Sequence, residues 1–255
     1  MNWYQFKDLE VYKNYLLKDG FESLYILEDF KVDYKIVALL DISKKKLSEG
    51  KTIVIHAELG AFIDTRTTKQ IVNEFYNVNG IGFLVSKVLT KLFGITHYTP
   101  FVYGAVAYMP MTGAARNNAD WIGLHFVEDH HQENNRAYFE TRQGFKLWLD
   151  FPHGDLDNRI HDVALLCQGS RKIFELLVQS GNCQLIVPVH MGVLLMYGNC
   201  PCKNHLKLVF EITQIRKEII RFRDLLLLQL TNDVIARNEM IKYHCQNLSR
   251  IKKLY

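Results

Sequence analysis

No apolar run in this sequence is long enough to cross a bilayer; the longest clusters, such as Leu225–Leu228, cover about one helical turn. The first residues, Met-Asn-Trp-Tyr-Gln-Phe-Lys-Asp, carry neither the charged start nor the apolar stretch of a secretory leader. Cysteine is sparse. Cys167, Cys183, Cys200, Cys202 and Cys245 are odd in number and scattered, which argues against a disulfide framework and for a reducing interior. A phosphate-binding glycine loop, a Gly-x-Ser-x-Gly elbow and a dinucleotide fingerprint are also missing, which leaves catalysis without support. There is no internal repeat and no low-complexity segment. The expectation is a cytoplasmic, non-enzymatic protein with no cofactor, no metal and no membrane partner.

What is present suits a globular chain. Nearly half of the 255 residues are apolar, enough to fill a sizeable core. The charge is uneven. Residues 203–255 hold 11 Lys and Arg against 5 Asp and Glu, and the remainder holds 20 against 22. A basic C-terminal segment on a near-neutral body fits either a solvated helix face or an acidic partner such as nucleic acid.

Apolar spacing predicts a helix over residues 4–18, then strands over 24–27, 34–40 and 52–56. The period switches to helical over 67–78 and again over 83–93, with Asn79-Gly80 between, a pattern superficially like a helix-turn-helix. Short aromatic strands follow at 104–109, 121–127, 136–141 and 145–149, with the polar run 128–135 as a connection. Helices are expected over 155–168 and 172–180, strand-like runs over 185–189 and 193–196, and one long helix from Glu211 to about Tyr243. The fold class expected is α+β: an antiparallel β-meander core with flanking helices and a long C-terminal helix.

Three groups could carry chemistry. Asp129-His130-His131 and the run from His153 to Asp162 hold imidazoles and carboxylates, but at no recognised ligand spacing. Cys200-Pro-Cys202 with His205 brings thiols and an imidazole close together; a zinc site needs a fourth ligand, which Cys183, His244 or Cys245 could supply only through the fold. Two thiols beside a proline turn are the plainer reading, and metal binding there stays open. The third group is basic. Arg66 and Lys69 open the first inserted helix, Lys87 and Lys91 share a face of the second, and Arg116 with Asn117 and Asn118 sits in a small-residue turn. Arginine in such a turn suits a narrow A/T-rich minor groove, and asparagine can read base edges or shape the turn.

Between Thr52 and Gly169 the order of landmarks resembles the competence transcription factor family of the ComK type. An apolar strand ends in Asp64 and Arg66 and leads to Ile95-Thr96-His97…Pro100. A strand ending in Pro110, a Thr/Gly/Arg turn and Trp121-Ile122 with His125 follow, and Asp157-Asn158-Arg159 opens a late helix. The family's basic Gly-Arg-Lys run is replaced here by Gly82-Phe-Leu-Val-Ser-Lys87. The resemblance implies a transcriptional activator of DNA-uptake genes that binds double-stranded DNA at A/T-rich promoter boxes through the minor groove. It also implies a homodimer or tetramer, nucleoid association and control by a proteolytic adaptor. On this reading Arg66, Lys69, Lys87, Lys91, Arg116, Asn117 and Asn118 contact DNA, while His97, Pro110 and Trp121 hold the shape. Residues 1–175 form the regulator domain and 176–255 a basic, largely helical extension. The alternatives are a non-catalytic interaction module dimerising through the C-terminal helix and a metal-dependent enzyme using His153–Asp162.

Overall fold

The computed structural model describes residues 9–18, 20, 24–44, 50–78, 82–113, 118–180, 182–186, 188 and 190–208, and four isolated positions, 217, 238, 239 and 242. The chain divides into two units, residues 1–209 and 210–255. The long helix expected over 211–243, and dimerisation through it, lie outside the described residues.

The fold is α+β, with two mostly antiparallel sheets. Its strands are β1 (Glu10–Tyr12), β2 (Tyr25–Ile26), β3 (Ile36–Asp41), β4 (Thr52–His56), β5 (Gly60–Asp64), β6 (Phe101–Tyr103), β7 (Val106–Pro110), β8 (Trp121–Gly123), β9 (Val127–Glu133), β10 (Arg136–Thr141) and β11 (Lys146–Asp150). Its helices are α1 (Lys13–Leu16), α2 (Thr68–Val78), α3 (Gly82–Phe93), α4 (Leu156–Ser180) and α5 (Lys203–Leu206). The larger sheet runs β2-β5-β4-β3-β8-β7-β6, and the smaller runs β1-β11-β10-β9.

Strand β3 sits at the centre of the larger sheet, and Ile36 to Leu40 are all buried, as expected of a strand covered on both faces. On one face, Ile71, Val72 and Phe75 of α2 close over Ile36, Leu39, Val54, Phe62, Phe101 and Trp121. Helix α4 packs against β6, β7 and β9, and α3 against β6 and α4. The outward positions of α3 carry Lys87 and Lys91, while Val85, Val88 and Leu89 are buried. Ser86 is buried too and its hydroxyl accepts from the Val102 amide, tying α3 to β6.

The sequence expectations need four corrections. Residues 10–12, expected as helix, form an edge strand paired in parallel with β11, with Tyr12 stacked on Trp148. Residues 128–133, expected as part of the polar connection 128–135, belong to β9. This is also an edge strand, so its polar side chains face solvent rather than core. The two helices expected over 155–168 and 172–180 are one continuous helix. Gly169 does not break it, because a Cβ there would come within 3.0 Å of Leu89; the glycine permits close approach of α3 and α4. Residues 192–195 form a 3-10 turn rather than a strand.

Candidate functional site

Residues far apart in sequence meet around Arg159. Its guanidinium carbon lies 3.7 Å from the centroid of the Tyr98 ring and 4.3 Å from that of Phe151. One terminal nitrogen donates to the Met111 carbonyl (3.1 Å) and the other to the His153 carbonyl (2.7 Å). Burial lowers the pKa of this half-buried arginine, against the raising effect of Tyr98. Tyr98 itself takes a positive φ of 51°, a conformation that a bulky side chain adopts only when its surroundings hold it. Three landmarks of the resemblance (the 95–100 element, the end of the Pro110 strand and Asp157-Asn158-Arg159) thus converge on one side chain.

The turn between β7 and β8 is clamped at its base. Pro110 pairs with Trp121 across the two strands, and the Met111 amide donates to the Asp120 carbonyl (2.9 Å). The buried Asp120 carboxylate accepts from Lys13 (2.7 Å) and from the Asp41 amide (2.6 Å). Burial raises its pKa despite the partly offsetting Lys13 charge. Trp121 lies in the core cluster, paired with Pro110. His97 is exposed, and next to it Tyr98 stacks with Arg159.

The expected DNA contacts separate into classes. Arg116 and Asn117 lie outside the described residues. The Asn118 side-chain amide donates to the Ser43 hydroxyl (3.2 Å), so it helps to hold the turn against the β3–β4 connection. Lys69, Lys87 and Lys91 are exposed, on two different helices. Arg66 is engaged within the fold. Its Nε and one terminal nitrogen fork onto Asp64 (2.9 and 2.6 Å), the same terminal nitrogen donates to the Phe30 carbonyl (2.8 Å), and the other pairs with Glu74. Hydrogen bonding to Asp64 foremost, with Glu74, raises its pKa further. A guanidinium so committed braces β5 against α2 rather than meeting phosphate.

The histidine–carboxylate runs also rearrange. His130 of β9 pairs with Asp157 of α4 (2.7 Å), and Asp155 accepts from the Asn158 amide (2.7 Å) at the start of α4. Asp157 and Asp155 thus have structural partners, while His161 and Asp162 lie 3.6 Å apart. His161 leaves that run for a different set. Its Nε2 lies 3.4 Å from Cys200 Sγ and 3.5 Å from Cys202 Sγ, and Cys202 Sγ lies 3.1 Å from His205 Nδ1. Cys202 also caps α5, accepting the His205 amide. That hydrogen bond is the first cause of its lowered thiol pKa, with the Asn204 amide and Cys200 adding to it. Burial, and then the neighbouring His161, lowers the pKa of His205. Spacing alone could not find His161, since 38 residues separate it from Cys200.

No helix among the described residues is long and apolar enough to cross a membrane. Comparison of the chain with protein-family models, with curated proteins and with solved structures found no match.

Proposed function

We propose that this chain is a non-catalytic, sequence-specific DNA-binding activator of DNA-uptake genes, reading A/T-rich promoter boxes through the minor groove. The observation that carries the reading is the convergence on Arg159. Tyr98, Met111 and Arg159 belong to segments that the ComK-type resemblance singles out separately, and one guanidinium joins them at the base of the turn that carries Arg116. The residues that flank this segment, Pro110 with Trp121 and Asp120, are held by strand pairing and hydrogen bonds, and an arginine suits a narrow groove.

In this reading Arg116 and Asn117 supply groove contact, and Lys69, Lys87 and Lys91 supply phosphate contact. Asn118 shapes the turn. Action as a homodimer or tetramer on the nucleoid in the cytoplasm, with turnover through a proteolytic adaptor, follows from the same resemblance. The test is binding to an A/T-rich duplex in competition with a small minor-groove ligand. The ligand should displace the protein, and Arg116→Ala should weaken binding to that duplex about tenfold while changing G/C-rich binding little. Unimpeded binding beside a saturating minor-groove ligand would overturn the groove assignment.

A further inference from the structure

The side chains of His161, Cys200, Cys202 and His205 place one nitrogen or sulfur each within 4.8 Å of one another, the sole such His/Cys/Asp/Glu group among the described residues. We propose that they form a structural zinc site that clips the segment 191–208 onto α4.

The four ligand atoms lie within 4.8 Å of one another, and several edges already match a zinc tetrahedron. Zinc bonds of about 2.05 Å to nitrogen and about 2.3 Å to sulfur put the S···N edges of a tetrahedron at about 3.6 Å. Three of the four S···N separations here are 3.4, 3.5 and 3.1 Å. Two thiols and two imidazoles with no oxygen donor select a borderline-soft, tetrahedral ion, and zinc is the usual occupant of Cys2His2. Cys200 and Cys202 are not joined by a disulfide, so both sulfurs can ligate.

The surroundings fit a ligand set. His161 turns Nε2 to the sulfurs while Nδ1 lies 3.6 Å from the Asp162 carboxylate, close enough for a small shift to complete the hydrogen bond that orients metal-bound imidazoles. The Tyr197 ring meets His161 edge-on at 5.3 Å and holds its plane. His205 is buried and turns Nδ1 to the Cys202 sulfur. Binding costs each cysteine its thiol proton, which passes to solvent, and leaves two thiolates and two neutral imidazoles on the ion.

The clip has a reason to exist. Helix α5 spans four residues, too short to be stable alone, and the 3-10 turn before it is no longer. A metal that joins α4 to both sides of the Cys200-Pro-Cys202 turn supplies the cross-link that this short segment lacks. The site stands independently of DNA binding.

The test uses the full chain purified with a reducing agent and no chelator. Elemental analysis should find zinc close to equimolar with protein, and cobalt exchange should give tetrahedral d–d bands with thiolate charge transfer. Cys200→Ser combined with Cys202→Ser should lose both signals, and Cys183→Ser should keep them. Asp162→Asn should weaken zinc affinity about tenfold in a chelator competition. Thiol alkylation read by mass spectrometry serves where the double variant does not fold. In the unaltered chain Cys200 and Cys202 should resist alkylation until a chelator is added, while the exposed Cys183 reacts throughout. A reduced chain with neither zinc nor a tetrahedral cobalt spectrum would overturn the site, as would Cys200 and Cys202 alkylating at the same rate with and without chelator.

Discussion

Arg159 donates to the Met111 carbonyl at 3.1 Å while its guanidinium covers the Tyr98 ring at 3.7 Å. One side chain from α4 thereby fixes both the 95–100 element and the first residue of the Arg116 turn. A planar, five-donor cation can do this; lysine lacks both the fork, whose two terminal nitrogens reach acceptors on opposite sides, and the flat face that lies over Tyr98.

Arg159→Lys and Arg159→Ala should therefore behave alike, each lowering stability by about 1–3 kcal/mol through the lost Met111 and His153 bonds and the lost stacking. Urea unfolding measures it. An Arg159→Lys midpoint equal to that of the unaltered chain would show that the fork geometry is dispensable.

Lys13 and Asp120 make the second brace of the same turn. Lys13→Met leaves a buried carboxylate with only the Asp41 amide, and should cost about 1–3 kcal/mol. The variant should also bind the A/T-rich duplex more weakly although residue 13 is remote in sequence from the turn. Weaker stability with unchanged DNA affinity would separate the brace from the interface.

His125 gives the stability a pH dependence. Its Nε2 faces the Tyr34 carbonyl (3.0 Å), and its Nδ1 lies against the Ala107 carbonyl (3.2 Å) and amide (3.3 Å), so burial rather than hydrogen bonding is what favours the neutral ring. Burial, aided by Arg142, pushes its pKa down to about 4, against the raising effect of the Tyr34 and Ala107 backbone contacts. The unfolded ring takes up its proton near the ordinary value of 6.5. Its contribution is thus complete above pH 6.5 and is lost as pH falls from there toward 4, up to roughly 3 kcal/mol. An NMR titration should show this ring still neutral at about pH 5.5. A midpoint near the ordinary value would contradict the burial argument.

Gly192 tests the seating of the segment that follows α4. Its φ is +55°, and a Cβ there would meet the Val127 carbonyl oxygen at 2.1 Å and that of Leu124 at 2.8 Å. Gly192→Ala should destabilise the chain by about 2 kcal/mol or more and open residues 191–208 to proteolysis. Unchanged protease resistance would mean that this backbone is not held against β9.

Much of the scaffold was legible because burial and local period agree. Thr52–His56 reads as a strand and is one, and the 3.6-residue repeats of α2 and α3 mark their buried faces. The misreadings have a common cause. β1 and β9 are edge strands, where pairing rather than side-chain burial defines the element, so their residues carry no alternating signal. Gly169 looks like a helix end until Leu89 is seen against it. Arg66 reads as a surface cation because Glu74 and the Phe30 carbonyl reach it only through the fold. His161 reads as one of a run of histidines and carboxylates, whereas its Nε2 faces the two cysteines that the fold brings within reach.

The most direct test of the DNA-binding reading is the salt dependence of affinity for matched A/T-rich and G/C-rich duplexes, measured by fluorescence anisotropy. The reading predicts tighter A/T-rich binding and a linear fall of log K with log salt, with a slope of about −0.9 for each phosphate contacted. Each of Lys69→Ala, Lys87→Ala and Lys91→Ala should reduce that slope by about one contact. No binding at low salt, or equal affinity for the two duplexes, would contradict it.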